Sequence, residues 1–196
     1  MNLVERAKNI IMTPKTEWAV IEAESPNIGQ IMMGYVLPLS LIPAVAKIIG
    51  LAFIGGVLSV SYSIASGVVT FVVAVLSVYL VAYVIDFLAP NFGSQKNLGR
   101  AFQLVAYSST PGWVAGALNV FPFLGWVVML ASLYGLYLLY LGLPPMMKTP
   151  QDKVVIFLII AIVAVFVVYA VVGAILGSIF FAFFGISALS TMGGWY

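Results

Sequence analysis

A chain of 196 residues in which 63% are hydrophobic and only 7% are charged departs from soluble usage, where about a quarter of residues carry charge, so its main solvent is lipid. The sequence has no Cys and no His, which excludes disulfide frameworks, thiolate nucleophiles and the usual zinc sites; no metal and no cofactor is expected. A formal charge of +2 is too small to suggest a nucleic-acid partner.

In lipid every backbone polar group must be satisfied within the chain, which leaves helices or a closed barrel. The long apolar runs lack the alternation of barrel strands, so the fold class is all-α: a polytopic bundle of membrane helices. Residues 1–30 form a separate amphipathic segment, with Glu5, Arg6, Lys8, Lys15, Glu17, Glu22 and Glu24 denying it the apolar core of a cleavable signal peptide. Val4, Ala7, Ile10 and Ile11 fall on one helical face opposite Glu5, Lys8 and Asn9, the pattern of a short helix lying in the membrane interface. Thr13-Pro14 reads as an N-cap followed by proline at the first helical position, Trp18 as an interfacial anchor, and Ser25-Pro26 as a repeat of the start signal. Two short interfacial helices are therefore predicted before the first span.

Residues 31–196 form the transmembrane domain. Five spans are predicted at about 33–56, 68–88, 101–118, 123–143 and 154–184, judged against the ~20 residues that cross the hydrocarbon. The fifth is too long for an upright span and must tilt, project or kink near Gly173 and Gly177. Pro144-Pro145 is expected to stop the fourth helix, since neither residue has an N–H. Arg6, Lys8, Lys15, Lys96, Arg100, Lys148 and Lys153 all lie in connections on one face and none lies on the other, so the positive-inside rule places the N-terminus in the cytoplasm and the C-terminus outside.

Polar groups within the spans are the candidates for function. In Tyr107-Ser108-Ser109-Thr110-Pro111 the proline frees the Tyr107 carbonyl four residues earlier, and the kink is filled either by the local hydroxyls satisfying the backbone or by a functional cavity. Rises of ~1.5 Å per residue put Tyr79, Thr110 and Tyr134 at one depth, Tyr83 level with Tyr137, and Asp86 with Tyr140. If those faces meet, Tyr79, Tyr83, Asp86, Ser108, Ser109, Thr110, Tyr134, Tyr137 and Tyr140 line a polar cleft; otherwise they are aromatic packing around a locally bonded Asp86. Lys47 is an intramembrane charge, a functional hypothesis by default, and too far in depth from Asp86 for a simple pair; snorkelling toward the outer face is expected. Ser108, Gly112 and Gly116 on span three and Gly173 and Gly177 on span five fit small-xxx-small packing, within the chain or between copies.

The stretches GYVLPLSLIPA (Gly34–Ala44), IDFLAPNFGSQKN (Ile85–Asn97), AYSSTPGWVAGALNVFP (Ala106–Pro122) and LYGLYLLYLGLP (Leu133–Pro144) together resemble the Yip-one (Ypt-interacting protein) family, and the chain looks like a member of its bacterial inner-membrane branch. The resemblance implies five spans and a cytoplasmic N-terminus. Its eukaryotic members sit in secretory membranes and are linked to Rab-type small GTPases through a longer N-terminal region; this chain departs there, so a small GTPase partner is not expected. Two functions stay open. One is a non-catalytic membrane organiser or adaptor working through lipid, membrane-protein partners or a homo-oligomer; the other is a small transporter or channel-like protein using the polar cleft of spans two, three and four. An intramembrane enzyme is disfavoured, because Asp86 has no second embedded carboxylate and there is no G-x-S-x-G elbow.

Overall fold

The computed structural model describes residues 2–54 and 60–192, the side chains of Phe180 and of residues 183–192 excepted. Among these residues the protein is 91% helix with no strand. Four stretches are long and apolar enough to cross a membrane: Ile28–Ile54, Val60–Phe92, Pro122–Met147 and Gln151–Ile179.

The chain begins with a hairpin of two ten-residue helices, α1 (Leu3–Met12) and α2 (Pro14–Ala23). Asn2 caps α1 through its side chain, and Pro14 opens α2 where a missing N–H costs nothing. Thr13 does not cap α2 as predicted; its hydroxyl donates back to the Asn9 carbonyl at 3.1 Å. The next start falls at Asn27 rather than Ser25, with Asn27 Oδ1 accepting from the Gln30 N–H at 3.0 Å. From there α3 (Ile28–Ile31) runs through a wide turn into α4 (Leu37–Ile49). Helix α5 (Val60–Leu88) starts earlier than expected, so most of the predicted loop at residues 57–67 is helical.

The predicted third span is the element that departs most from a membrane helix. It breaks at Ser109 into α6 (Leu98–Ser108) and α7 (Thr110–Ala115), then tightens into a 3-10 turn at Gly116–Val120. Every residue of α6 from Ala101 to Ser108 is buried, and the helix packs against both α5 and α8. It is the axis of the bundle, wrapped by protein rather than by lipid.

Helix α8 (Gly125–Met147) does not stop at Pro144-Pro145. Prolines in a last turn cost only the bonds to the carbonyls four residues back. The helix ends at Lys148, in the left-handed region at φ 53°, where the Gln95 N–H closes the Met147 carbonyl at 2.7 Å. Helix α9 (Val154–Met192) runs unbroken through Gly173 and Gly177 for 39 residues, about 58 Å at ~1.5 Å per residue. A methyl group added at either glycine would meet nothing within 4 Å, so neither packs closely against another helix among the described residues.

Candidate functional site: a helical hairpin locked into the bundle

The contacts of α1 and α2 do not confirm the interfacial reading of the first thirty residues. Ile10, Trp18 and Ile21 are buried, while Val4, expected on the apolar face, is exposed. Trp18 meets Gly142 of α8, Lys148 reaches Glu22, and Tyr134 Oη donates to the Ile11 carbonyl at 2.9 Å. These contacts set α2 alongside the final turns of α8 in the same direction, with the hairpin tip near Tyr134. The hairpin stands upright against the bundle and is part of its core, so Trp18 serves as packing and not as an interfacial anchor.

Arg6 makes this burial feasible. It is 3% exposed, yet its guanidinium is held by Glu17 and Glu24 of α2 and lies 5.5 Å from the centre of the Tyr107 ring. A buried cation needs paired and hydrogen-bonded partners, and the hairpin carries its own. The ring of Tyr107 in turn meets Tyr35 edge-on at 4.8 Å and Trp18 at 6.4 Å. The Pro111 break is satisfied here: Thr110 Oγ1 donates to the freed Tyr107 carbonyl at 2.6 Å. Because that hydroxyl has one proton to give, Tyr35 Oη must be the donor in its 2.8 Å contact with Thr110 Oγ1. Ser109 Oγ donates to the Val105 carbonyl at 2.8 Å, and Ser108 Oγ is buried without a partner. The hydroxyls of this stretch thus mend backbone and tie α6–α7 to the first span.

Glycines allow the close approaches. A Cβ on Gly135 would lie 2.6 Å from the Ser108 carbonyl, one on Gly142 2.8 Å from the Trp18 ring, and one on Gly116 2.5 Å from Pro43. Gly112 faces Ser132 Oγ at 2.9 Å in the same sense. Gly112 and Gly116 were visible as a small-residue stripe, whereas Gly135 and Gly142, spaced i, i+7 on α8, were hidden among the tyrosines.

Among the described residues spans two and four are not principal neighbours. Helix α6 lies between α5 and α8, and α5 packs against α4, α6 and α9. Tyr79 rests edge-on against Phe102 of α6, and both Tyr79 and Tyr83 are exposed. Asp86 is buried at 6% exposure with Oδ1 unpartnered. Lys47 Nζ donates to Thr70 Oγ1 at 3.2 Å, and Thr70 Oγ1 donates to the Ser66 carbonyl at 2.9 Å; Lys47 pairs with no carboxylate among the described residues.

Two clefts open at the basic end of the bundle. One, of about 450 Å³, lies between α2 and α8, with Lys15, Trp18 and Glu22 on one wall and Tyr140 and Pro144 on the other. The second, of about 280 Å³, is lined by Glu22, Asn97, Arg100 and Lys148. Among the described residues no three His, Cys, Asp or Glu side chains gather as metal ligands.

Four membrane-length apolar stretches around a buried broken helix define a multi-pass α-helical membrane protein. Residues 8–173 match the Yip1 domain, and the chain belongs to the Yip1 family. It is 28% identical over 156 residues to "Inner membrane protein YohC" of Escherichia coli strain K12, covering 74% of this chain and 80% of that protein. The protein of the same name from Escherichia coli O6:H1 strain CFT073 matches to the same extent. No solved structure matches.

Proposed function

We propose that this chain is a non-catalytic organiser or adaptor of the bacterial inner membrane, acting through protein, lipid or self-association. The observation that carries this reading is the hairpin. Its buried charges are held within the hairpin, which serves architecture, while Glu5 and Lys8 remain exposed and Lys15 opens onto the cleft between α2 and α8, available for contacts beyond the bundle. The inner-membrane location rests on the relatives' names. The cytoplasmic N-terminus and outer C-terminus rest on the gathering of basic residues in connections on one face and on an odd number of crossings, and a C-terminal reporter active only in the cytoplasm would remove that topology. The transport reading is less favoured, because Tyr79 and Tyr83 of α5 are exposed and α5 packs chiefly against α4, α6 and α9.

Photocrosslinking amino acids placed at Lys8 and Lys15 in native membranes test the proposal. Discrete protein or lipid adducts are expected at one or both positions. Absence of adducts, together with solute flux in proteoliposomes, would overturn it in favour of transport.

A further inference from the structure

The cleft between α2 and α8 brings together two kinds of polar feature. One feature comes from the backbone of α8. Pro144 and Pro145 have no N–H, so the helix ladder gives no donor from these positions to the carbonyls of Tyr140 and Leu141, four residues earlier. Both residues line the cleft, and a carbonyl released from the ladder at membrane depth is costly until a donor reaches it. The second feature is charge order along α2. Lys15 and Glu22 both border the cleft, and they are separated by seven residues, about 10 Å at ~1.5 Å per residue. Glu22 lies at the basic end, beside Lys148, and Lys15 lies deeper. The Glu22–Lys148 pair is half exposed on both sides, so it is weakly held and leaves the carboxylate able to accept another donor.

We propose that this cleft binds a phospholipid with a primary-ammonium headgroup, of the phosphoethanolamine class, from the leaflet on the basic side. The phosphate takes the Lys15 ammonium. The headgroup ammonium, three donors on one atom, takes the released carbonyls of Tyr140 and Leu141 and the Glu22 carboxylate. Acyl chains then run toward the bilayer centre along the exposed face of α8, where Leu130, Leu133 and Tyr137 are open to lipid. This orientation matches the cleft: the deeper charge is the cation that meets phosphate, and the shallower one is the anion that meets the ammonium. A quaternary choline headgroup has the same charges but no N–H for the carbonyls, and a glycerol headgroup has no cation for Glu22.

The inference deepens the organiser reading by naming a lipid class, and the two can fail separately: protein crosslinks from the hairpin can persist with no headgroup preference, and the reverse. Native mass spectrometry of the purified full chain, offered equimolar phosphatidylethanolamine, phosphatidylcholine and phosphatidylglycerol with identical acyl chains, reads the preference without any variant. The ethanolamine adduct is expected to exceed each of the others about tenfold, the usual size of one or two charge-assisted hydrogen bonds. Lys15→Gln should lower ethanolamine lipid retention, and Glu22→Lys should turn the preference toward phosphatidylglycerol. The double variant Pro144→Ala, Pro145→Ala restores N–H donors to both carbonyls, so it should bring ethanolamine and choline lipids close to parity while the helix is kept. Equal adducts of all three lipids on the unaltered protein would overturn the site, and so would an ethanolamine preference that survives the double alanine variant.

Discussion

Replacing Arg6 by Met tests whether the buried charge cluster holds the hairpin in place. Methionine keeps most of the length and apolar stem of the side chain but removes the guanidinium, leaving Glu17 facing a buried site with a side-chain exposure of 9%. Removing one member of a buried pair costs ~3–5 kcal/mol, because the remaining charge is uncompensated. Glu24, at 38% side-chain exposure, can turn to water and adds at most ~1 kcal/mol. Loss of the cation over Tyr107 adds ~0.5–2 kcal/mol. Arg6→Met should therefore destabilise the protein by about 3 kcal/mol or more, read as thermal unfolding in detergent. It should also speed proteolysis within residues 1–30. The double variant Arg6→Met, Glu17→Met replaces the pair by apolar groups of similar size and should recover most of the loss, with a coupling of ~2 kcal/mol in the double-mutant cycle. If Arg6→Met changes stability by under ~1 kcal/mol, or if the two substitutions simply add, the cluster does not fasten the hairpin.

Two further substitutions probe the packing. Gly135→Ala puts a methyl 2.6 Å from the Ser108 backbone carbonyl and Gly116→Ala one 2.5 Å from Pro43, so each should cost ~1–3 kcal/mol by overpacking; Gly177→Ala, with open space around it, should leave the unfolding midpoint unchanged or slightly raised, and equal losses at all three positions would contradict the packing described. Thr110→Val strips the donor from the Tyr107 carbonyl and the acceptor from Tyr35, so a loss of ~1–3 kcal/mol is expected. Tyr35→Phe removes only the outer hydroxyl and should cost less than Thr110→Val in the same unfolding assay, with the reverse order counting against the assigned donor direction.

The helices of this chain were legible, and so was the family likeness, because membrane length, proline placement and composition act locally along the sequence. The break before Pro111 was legible for the same reason, since a proline frees one particular carbonyl and the adjacent Thr110 can reach it. Helix order was not. Helices α5 and α8 are apolar around most of their circumference, as lipid permits, so periodicity does not say which face meets protein. Depth alone paired Tyr79 and Asp86 with tyrosines of α8, a helix that is not a principal neighbour of α5 among the described residues. The burial of Arg6 was equally hidden: a sequence shows a basic residue in a polar segment, and only the fold of α1 onto α2 brings Glu17 and Glu24 around it.

The same fact bears on how the protein inserts and matures. A charged hairpin can enter a membrane bundle only after its charges are matched, because an unpaired guanidinium against Tyr107 would carry the full cost of desolvation. Arg6, Glu17 and Glu24 all lie within the first 24 residues, so their ion pairs can form before docking. Docking then depends on surfaces far apart in sequence: Gly142 must admit Trp18, Tyr134 must meet Ile11, and Lys148 must reach Glu22. Those contacts come from α8, whose synthesis follows the hairpin by more than a hundred residues. The contacts with α8 can be completed only once α8 is made, and the α2–α8 cleft forms with them.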